Sequence, residues 1–137
     1  MIDSLFIALS GLKAQKQRLD TTANNIANAS TAGAVPDATN GGVSTVYTPL
    51  RVDFTSLEVG DRGGGVTAAV SPDAPGYSLA FQPSSVYANK DGVIAVPDVD
   101  LAAEAITLME TKIAFRANVA VIKTQEEMMG EILDTIA

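Results

Sequence analysis

The sequence predicts an α+β protein in which two long terminal α-helices pair as a coiled-coil-like hairpin with a small inserted β-rich domain. Three observations carry that expectation. All six prolines and nine of the eleven glycines lie between positions 31 and 97, which leaves both flanks free to be helical. Both flanks repeat apolar residues at heptad spacing. The segment between them holds short runs of strict apolar–polar alternation. The chain of 137 residues therefore divides into 1–30, an N-terminal helix, 31–97, a loop plus small β-rich domain, and 98–137, a C-terminal helix. The two helices are read as halves of one helical domain.

The first helix is expected from about Ser4 to Asn28. Ile2, Leu5, Leu9, Leu12, Lys16, Leu19, Ala23 and Ile26 advance by alternating steps of three and four, a heptad seam with one polar interruption at Lys16. Asp3 or Ser4 can cap its first turn, and Gly33 with Pro36 closes the segment. Gly11 weakens its middle by roughly 1 kcal/mol relative to alanine. Lys16 reads either as a surface lysine laid along its own stem or as a register-setting partner for Glu126. Asn24, Asn25 and Asn28 sit near the helix end, either as caps and turn residues or as amides that bridge neighbouring subunits. The sequon formed by Asn28 and Ser30 reads as a chance match.

The middle segment reads as short strands. Leu50, Val52 and Phe54 alternate with Arg51, Asp53 and Thr55, and Tyr77, Leu79 and Phe81 alternate with Ser78 and Ala80. Val66–Val70 and Val93–Val96 are two further strand candidates, with a turn signal at Asn89–Gly92 before the last. Residues 31–42 lack periodicity and are expected to be a mobile loop. The glycine-rich run from Gly60 to Gly65 lacks the Gly-Lys-Ser/Thr ending of a phosphate loop, so a flexible turn is expected there.

The second helix is expected from Asp98 to Ala137. Leu101, Leu108, Phe115, Ile122, Met129 and Ile136 recur at intervals of seven, with a patchier companion row at Ala105, Lys112, Val119, Glu126 and Leu133. Pro97 bars helix before it, and Asp98 or Asp100 supplies a carboxylate at the positive end of the helix dipole. The three segments carry net charges of +1, −3 and −5, so a mildly basic helix faces an acidic one. Exposed ion pairs add only a few tenths of a kcal/mol each, so the seams are expected to hold the pair. Phe6, Ile7, Ile106, Met109, Ile113, Val121, Met128 and Ile132 fall off those seams, more apolar surface than a two-helix pair can bury. The sequence asks for neighbours, in an oligomer or filament.

Composition removes whole classes of chemistry. With no Cys and no His there is no Ser-His or Cys-His pair, no thiolate, and no His/Cys zinc, haem or iron–sulfur ligation. No catalytic residue, metal ligand or cofactor is expected, and no small-molecule substrate. A net charge of −7 argues against nucleic acid and against an anionic membrane surface. No apolar run is long enough for lipid insertion, and Asp3 with no preceding Lys or Arg argues against a cleaved signal peptide.

Ala23, Asn24, Asn25, Ile26, Ala27, Asn28, Ala29, Ser30 and Thr31 resemble the N-terminal signature of bacterial flagellar axial proteins. Val99, Asp100 and Leu101 with Phe115, Ala117, Asn118 and Val119 are similar to the C-terminal signature of the same basal-body rod family. The chain departs from the family pattern at Asp98, where Asn is usual, and at 32–35, where an aromatic usually follows Pro-Gly. At this length the resemblance implies a proximal rod subunit, a non-enzymatic part of the periplasmic drive shaft. It implies paired terminal helices of the rod D0 type that polymerise helically, with signature residues and the seam (Leu5, Leu9, Leu12, Leu19, Leu108, Val119, Ile122, Met129, Leu133) packing subunits together. The partners it implies are further copies, other rod proteins, and ring and export-gate components, reached by flagellar type III export. Two rivals remain at this stage: a generic coiled-coil adaptor or secretion-associated helical protein, and a small enzyme using carboxylates or a Ser-Lys pair.

Overall fold

A computed structural model describes residues 2–36, 45–60 and 62–136. The elements run α1 (Ile2–Asn28), β1 (Leu50–Val59), β2 (Arg62–Pro72), β3 (Tyr77–Phe81), β4 (Val93–Pro97) and α2 (Leu101–Ile136), the α+β order expected. β1 pairs with β2 and β3 with β4, giving two separate two-stranded sheets rather than one. Residues 37–42, half of the expected 31–42 loop, lie outside the described residues.

Helix ends are set by local hydrogen bonding. Asp100, not Asp98, caps α2: its Oδ1 accepts the amides of Ala102 at 2.8 Å and Ala103 at 3.2 Å, and its carbonyl accepts Glu104 N–H. Asp3 and Ser4 lie within the first turn of α1, not ahead of it, so neither is its N-cap. The other end of α1 closes when Thr31 donates both its amide and its hydroxyl to the Asn28 carbonyl. Gly33 is not the stop signal. Its backbone forms an antiparallel bridge with Ala95, and a β-carbon there would lie 2.5 Å from the Val46 amide nitrogen.

The described residues fall into two compact units that cut across the three sequence segments. One holds Thr21–Arg51 and Ser71–Ala105. Its core is β4, where Ile94 and Ala95 are essentially inaccessible. β3 pairs antiparallel along one edge of β4, from Tyr77 opposite Pro97 to Phe81 opposite Val93, while Gly33 occupies the other edge at Ala95. Pro97 is tolerated because it ends the strand. The turn before β4 is built as expected: Asn89 Oδ1 accepts the amides of Asp91 and Val93, and Gly92 takes the positive φ of 75°.

The other unit holds α1 up to Asp20, Val52–Val70, and α2 from Ile106 onward. Ser4 with Gln125, Gly11 with Asn118, and Arg18 with Glu110 show that the helix segments run antiparallel here. β2 is tied to α1 through Ser10, whose hydroxyl donates to the Ile7 carbonyl and accepts the Val66 amide at 3.0 Å. Gly65, at φ 108°, permits that approach, since any β-carbon would overlap the Ser10 hydroxyl. The glycine-rich run is therefore partly strand, packed against a helix.

The face by which α1 meets its partner is not the expected one. Its buried positions include Ala8, Gly11, Ala14, Thr22 and Asn25, with Ser4, Gln15 and Arg18 half-buried. Along α1 the row 4, 8, 11, 15, 18, 22, 25 stands one residue before the apolar row, about 100° around the helix. In α2 the inward residues Glu104, Thr111, Asn118 and Gln125 likewise precede the companion row by one. Small side chains let the backbones approach closely and polar ones pair across the contact, and neither is available in a row of leucines. Of the expected seams, Leu12, Leu108, Val119 and Ile122 are half-buried, while Leu5, Leu9 and Leu19 stay exposed.

Candidate assembly surface

Much of the expected seam is a surface. Leu5, Leu9, Leu19 and Ile26 are 37–45% exposed, and Leu12 is half-buried. On α2, Leu108, Val119 and Ile122 are half-buried, whereas Leu101, Phe115, Met129 and Leu133 are exposed. The off-seam Phe6, Ile7, Ile106, Met109, Ile113, Val121, Met128 and Ile132 are also exposed. An apolar side chain moved from water to full burial gains about 1.5–3 kcal/mol, so this surface is a large reservoir of association energy.

Grooves interrupt it, and the two that matter most both lie in the unit that holds Val52–Val70. One, of about 440 Å³, runs between α1 and the hairpin, floored by Leu9, Ala14 and Leu57. The other, about 540 Å³, opens between the helices, with Leu19, Leu108 and Phe115 as its apolar lining and Lys112 and Arg116 at its rim. Close by, Arg18 lies 5.8 Å from the centre of the Phe54 ring and 2.6 Å from Glu110. Lys16 has turned to Asp20 at 2.6 Å, in a pair that is at least half exposed on both sides, so Glu126 is not its partner.

The polar signature residues do something else. Asn25 is 2% exposed, and its carboxamide makes four bonds within the chain. Nδ2 donates to the Leu50 carbonyl at 2.8 Å and to Glu104 Oε1 at 2.6 Å. Oδ1 accepts the Leu50 amide and the Tyr47 hydroxyl, each at 2.9 Å. That exhausts an amide's two donors and two acceptor positions. Within the chain Asn25 takes a role that neither reading named, neither cap nor bridge between subunits: it pairs with the first residue of β1 as a neighbouring strand would. Burial, and secondarily the Glu104 charge, push the Tyr47 hydroxyl above its usual pKa.

The remaining signature residues are shallow. Ala23, Asn24, Ala27, Ser30 and Thr31 are exposed and Ala29 is half-buried; Asn28 donates its side-chain amide to the Asn24 carbonyl at 2.9 Å. Val99 is half-buried, Asp100 is the cap, Ala117 is exposed, and Asn118 turns its amide to the Ala114 carbonyl. Among the described residues no cluster of carboxylates could hold a metal ion. Sequence reasoning missed Tyr47 and Ser10, which carry no periodicity of their own; only the excess of asparagine near a helix end pointed toward a polar cluster.

The helices turn much of their apolar surface outward, as the subunits of an assembly do. Two family models match its ends: residues 5–34 fit the flagella basal body rod protein family, and residues 90–135 the C-terminal domain of flagellar basal body rod FlgEFG proteins. The chain is 34% identical to the flagellar basal-body rod protein FlgC of Yersinia enterocolitica, covering 93% of this chain and 91% of that one. It is 32% identical to FlgC of Salmonella typhimurium over the same shares, and 26% identical to FlgC of Bacillus subtilis over 96% and 95%. The chain belongs to the flagellar basal-body rod protein family, and within it to the FlgC type.

Proposed function

We propose that this structural subunit of the flagellar basal-body rod builds the proximal, periplasmic stretch of the drive shaft, polymerising helically with copies of itself and with other rod proteins. One observation carries the reading: the small, polar row of each helix is spent inside the chain, and much of the apolar row beside it, Leu5, Leu9, Leu19, Phe115, Met129 and Leu133 among them, is left exposed. Burial of that row between subunits supplies the holding energy, and close-packed helices transmit torque because interdigitated cores deform little. The exposed signature residues Ala23, Asn24, Ile26, Ala27, Ser30 and Thr31, and the exposed members of the seam from Leu5 to Leu133, form the packing surface. The chain works by packing and not by catalysis, and contact with ring or export-gate components falls to the subunits at the base. Passage through the flagellar type III apparatus without a cleaved signal follows from the family resemblance. Similarity along nearly the whole chain to FlgC proteins disfavours a generic coiled-coil adaptor.

The test is deletion of the gene in its own bacterium, followed by complementation and electron microscopy of isolated basal bodies. Expected are non-motile cells whose basal bodies lack a complete rod, restored by the wild-type chain. Normal rods in the deletion strain would sink the reading.

A further inference from the structure

The exposed apolar surface is not uniform in charge, and its charge is asymmetric along α2. Every residue from Glu126 to Ile136 is exposed, including Met128, Met129, Ile132, Leu133 and Ile136. This stretch carries Glu126, Glu127, Glu131 and Asp134 and no basic residue. Earlier on the same helix the sign reverses. The 540 Å³ groove lined by Leu19, Leu108 and Phe115 is rimmed by Lys112 and Arg116, and no ion pair is recorded for either cation among the described residues. The one carboxylate nearby on α2, Glu110, is engaged by Arg18.

We propose that the acidic end of α2, residues 126–136, from one copy seats in this basic-rimmed groove of a second copy. The proposal rests on the self-assembly reading above and names the contact that drives it. The two halves complement each other twice: apolar side chains meet an apolar floor, and four carboxylates meet the cationic rim. A chain cannot satisfy its own groove. At about 1.5 Å per residue, Ile132 lies roughly 25 Å along a continuous helix from Phe115. The contact is heterologous, since it joins two different patches, so each copy added leaves one free end and one free groove. Such contacts propagate into rings or open helical filaments instead of closing as a dimer. The ionic part weakens as salt shortens the screening length.

The chain contains no cysteine, so introduced thiols report single contacts. The deletion strain is made to produce two full-length chains together, Leu19→Cys and Leu133→Cys, and its isolated basal bodies are oxidised. Expected is a mixed disulfide dimer that neither chain forms alone. In parallel, Arg116→Glu and Glu131→Lys are tested singly and combined, both being exposed positions that leave the fold intact. Each single reversal should lose swimming, and the chain carrying both should recover it. Basal bodies that hold both thiol chains without the mixed dimer, or reversals that fail to rescue each other, overturn the docking and leave the rod assignment standing. Basal bodies that contain neither chain while wild type is present in controls point to failed folding or export of the thiol variants, and the charge-reversal pair then decides. Complete rods lacking even the wild-type chain overturn both.

Discussion

Gly11 of α1 lies directly against the Asn118 carboxamide of α2: a β-carbon at Gly11 would stand 2.7 Å from Asn118 Oδ1. Glycine inside a helix costs about 1 kcal/mol of propensity against alanine. Here that cost is offset by the close approach it permits between helices, with Asn118 held over it by a bond to the Ala114 carbonyl. Gly11→Ala is expected to forfeit its propensity gain, melting no higher than wild type by circular dichroism, whereas Gly11→Ala combined with Asn118→Ala should melt higher than Asn118→Ala alone. An independent gain of about 1 kcal/mol from Gly11→Ala in the wild-type background would mean that the helices do not meet there.

Asn25 should prove the costliest single polar residue in the chain. Asn25→Leu strands the Leu50 amide and carbonyl and the Tyr47 hydroxyl; fully buried, each unsatisfied group would cost about 1–3 kcal/mol, and these half-buried ones less. Asn25→Asp keeps the shape but sets a second carboxylate against Glu104, so its deficit should shrink as pH falls through the carboxylate range. Thermal melts of the purified full chain between pH 4 and pH 8 would read both. A wild-type-like Asn25→Leu melt would dismiss the internal role.

Tyr47 gives the chain an alkaline limit. Its folded pKa is raised above the ordinary value of 10.0, first by burial and then by Glu104. The folded state therefore holds the phenolic proton more tightly than the unfolded one. The stabilisation is complete below the unfolded pKa and is lost as pH rises through the folded one. Tyr47→Phe should be less stable than wild type at pH 8, through the lost bond to Asn25, and should lose less further stability between pH 8 and pH 11. Parallel curves for the two proteins over that interval would refute this.

How much of this was legible in the sequence depends on the kind of signal. Periodicity located both helices within a few residues and β3 to the residue, because spacing records which backbone geometry a segment can adopt. Periodicity did not say which face meets which neighbour. The leucine row is the loudest pattern in α1, yet Ala8 and Gly11 stand in the contact row, and small residues announce nothing until two backbones are placed side by side. Gly33 shows the same limit: it reads as a helix stop and serves as a strand edge beside Val46. Asn25 and Asp100 show the converse, where residue chemistry flagged a role that only placement could choose between caps, bridges and internal partners.

The division between an inner polar row and an outer apolar row makes opposite demands on neighbouring positions, and substitution should separate them. Ala8, 3% exposed, faces the helix contact. Ala8→Leu overpacks it, and is expected to lower the isolated chain's stability by about 1–3 kcal/mol. Phe115, 42% exposed, lines the outer groove. Phe115→Asp puts the carboxylate in a groove open to water, so the free subunit should keep most of its melting temperature and its far-ultraviolet spectrum. Once neighbours cover the groove, the same aspartate becomes a buried charge without a partner, at a cost of several kcal/mol per contact repeated along the shaft. Phe115→Asp cells should therefore make a folded subunit and fail to swim. A Phe115→Asp strain that swims normally would show that the outer row stays wet in the assembled rod, and the energy of assembly would have to come from elsewhere.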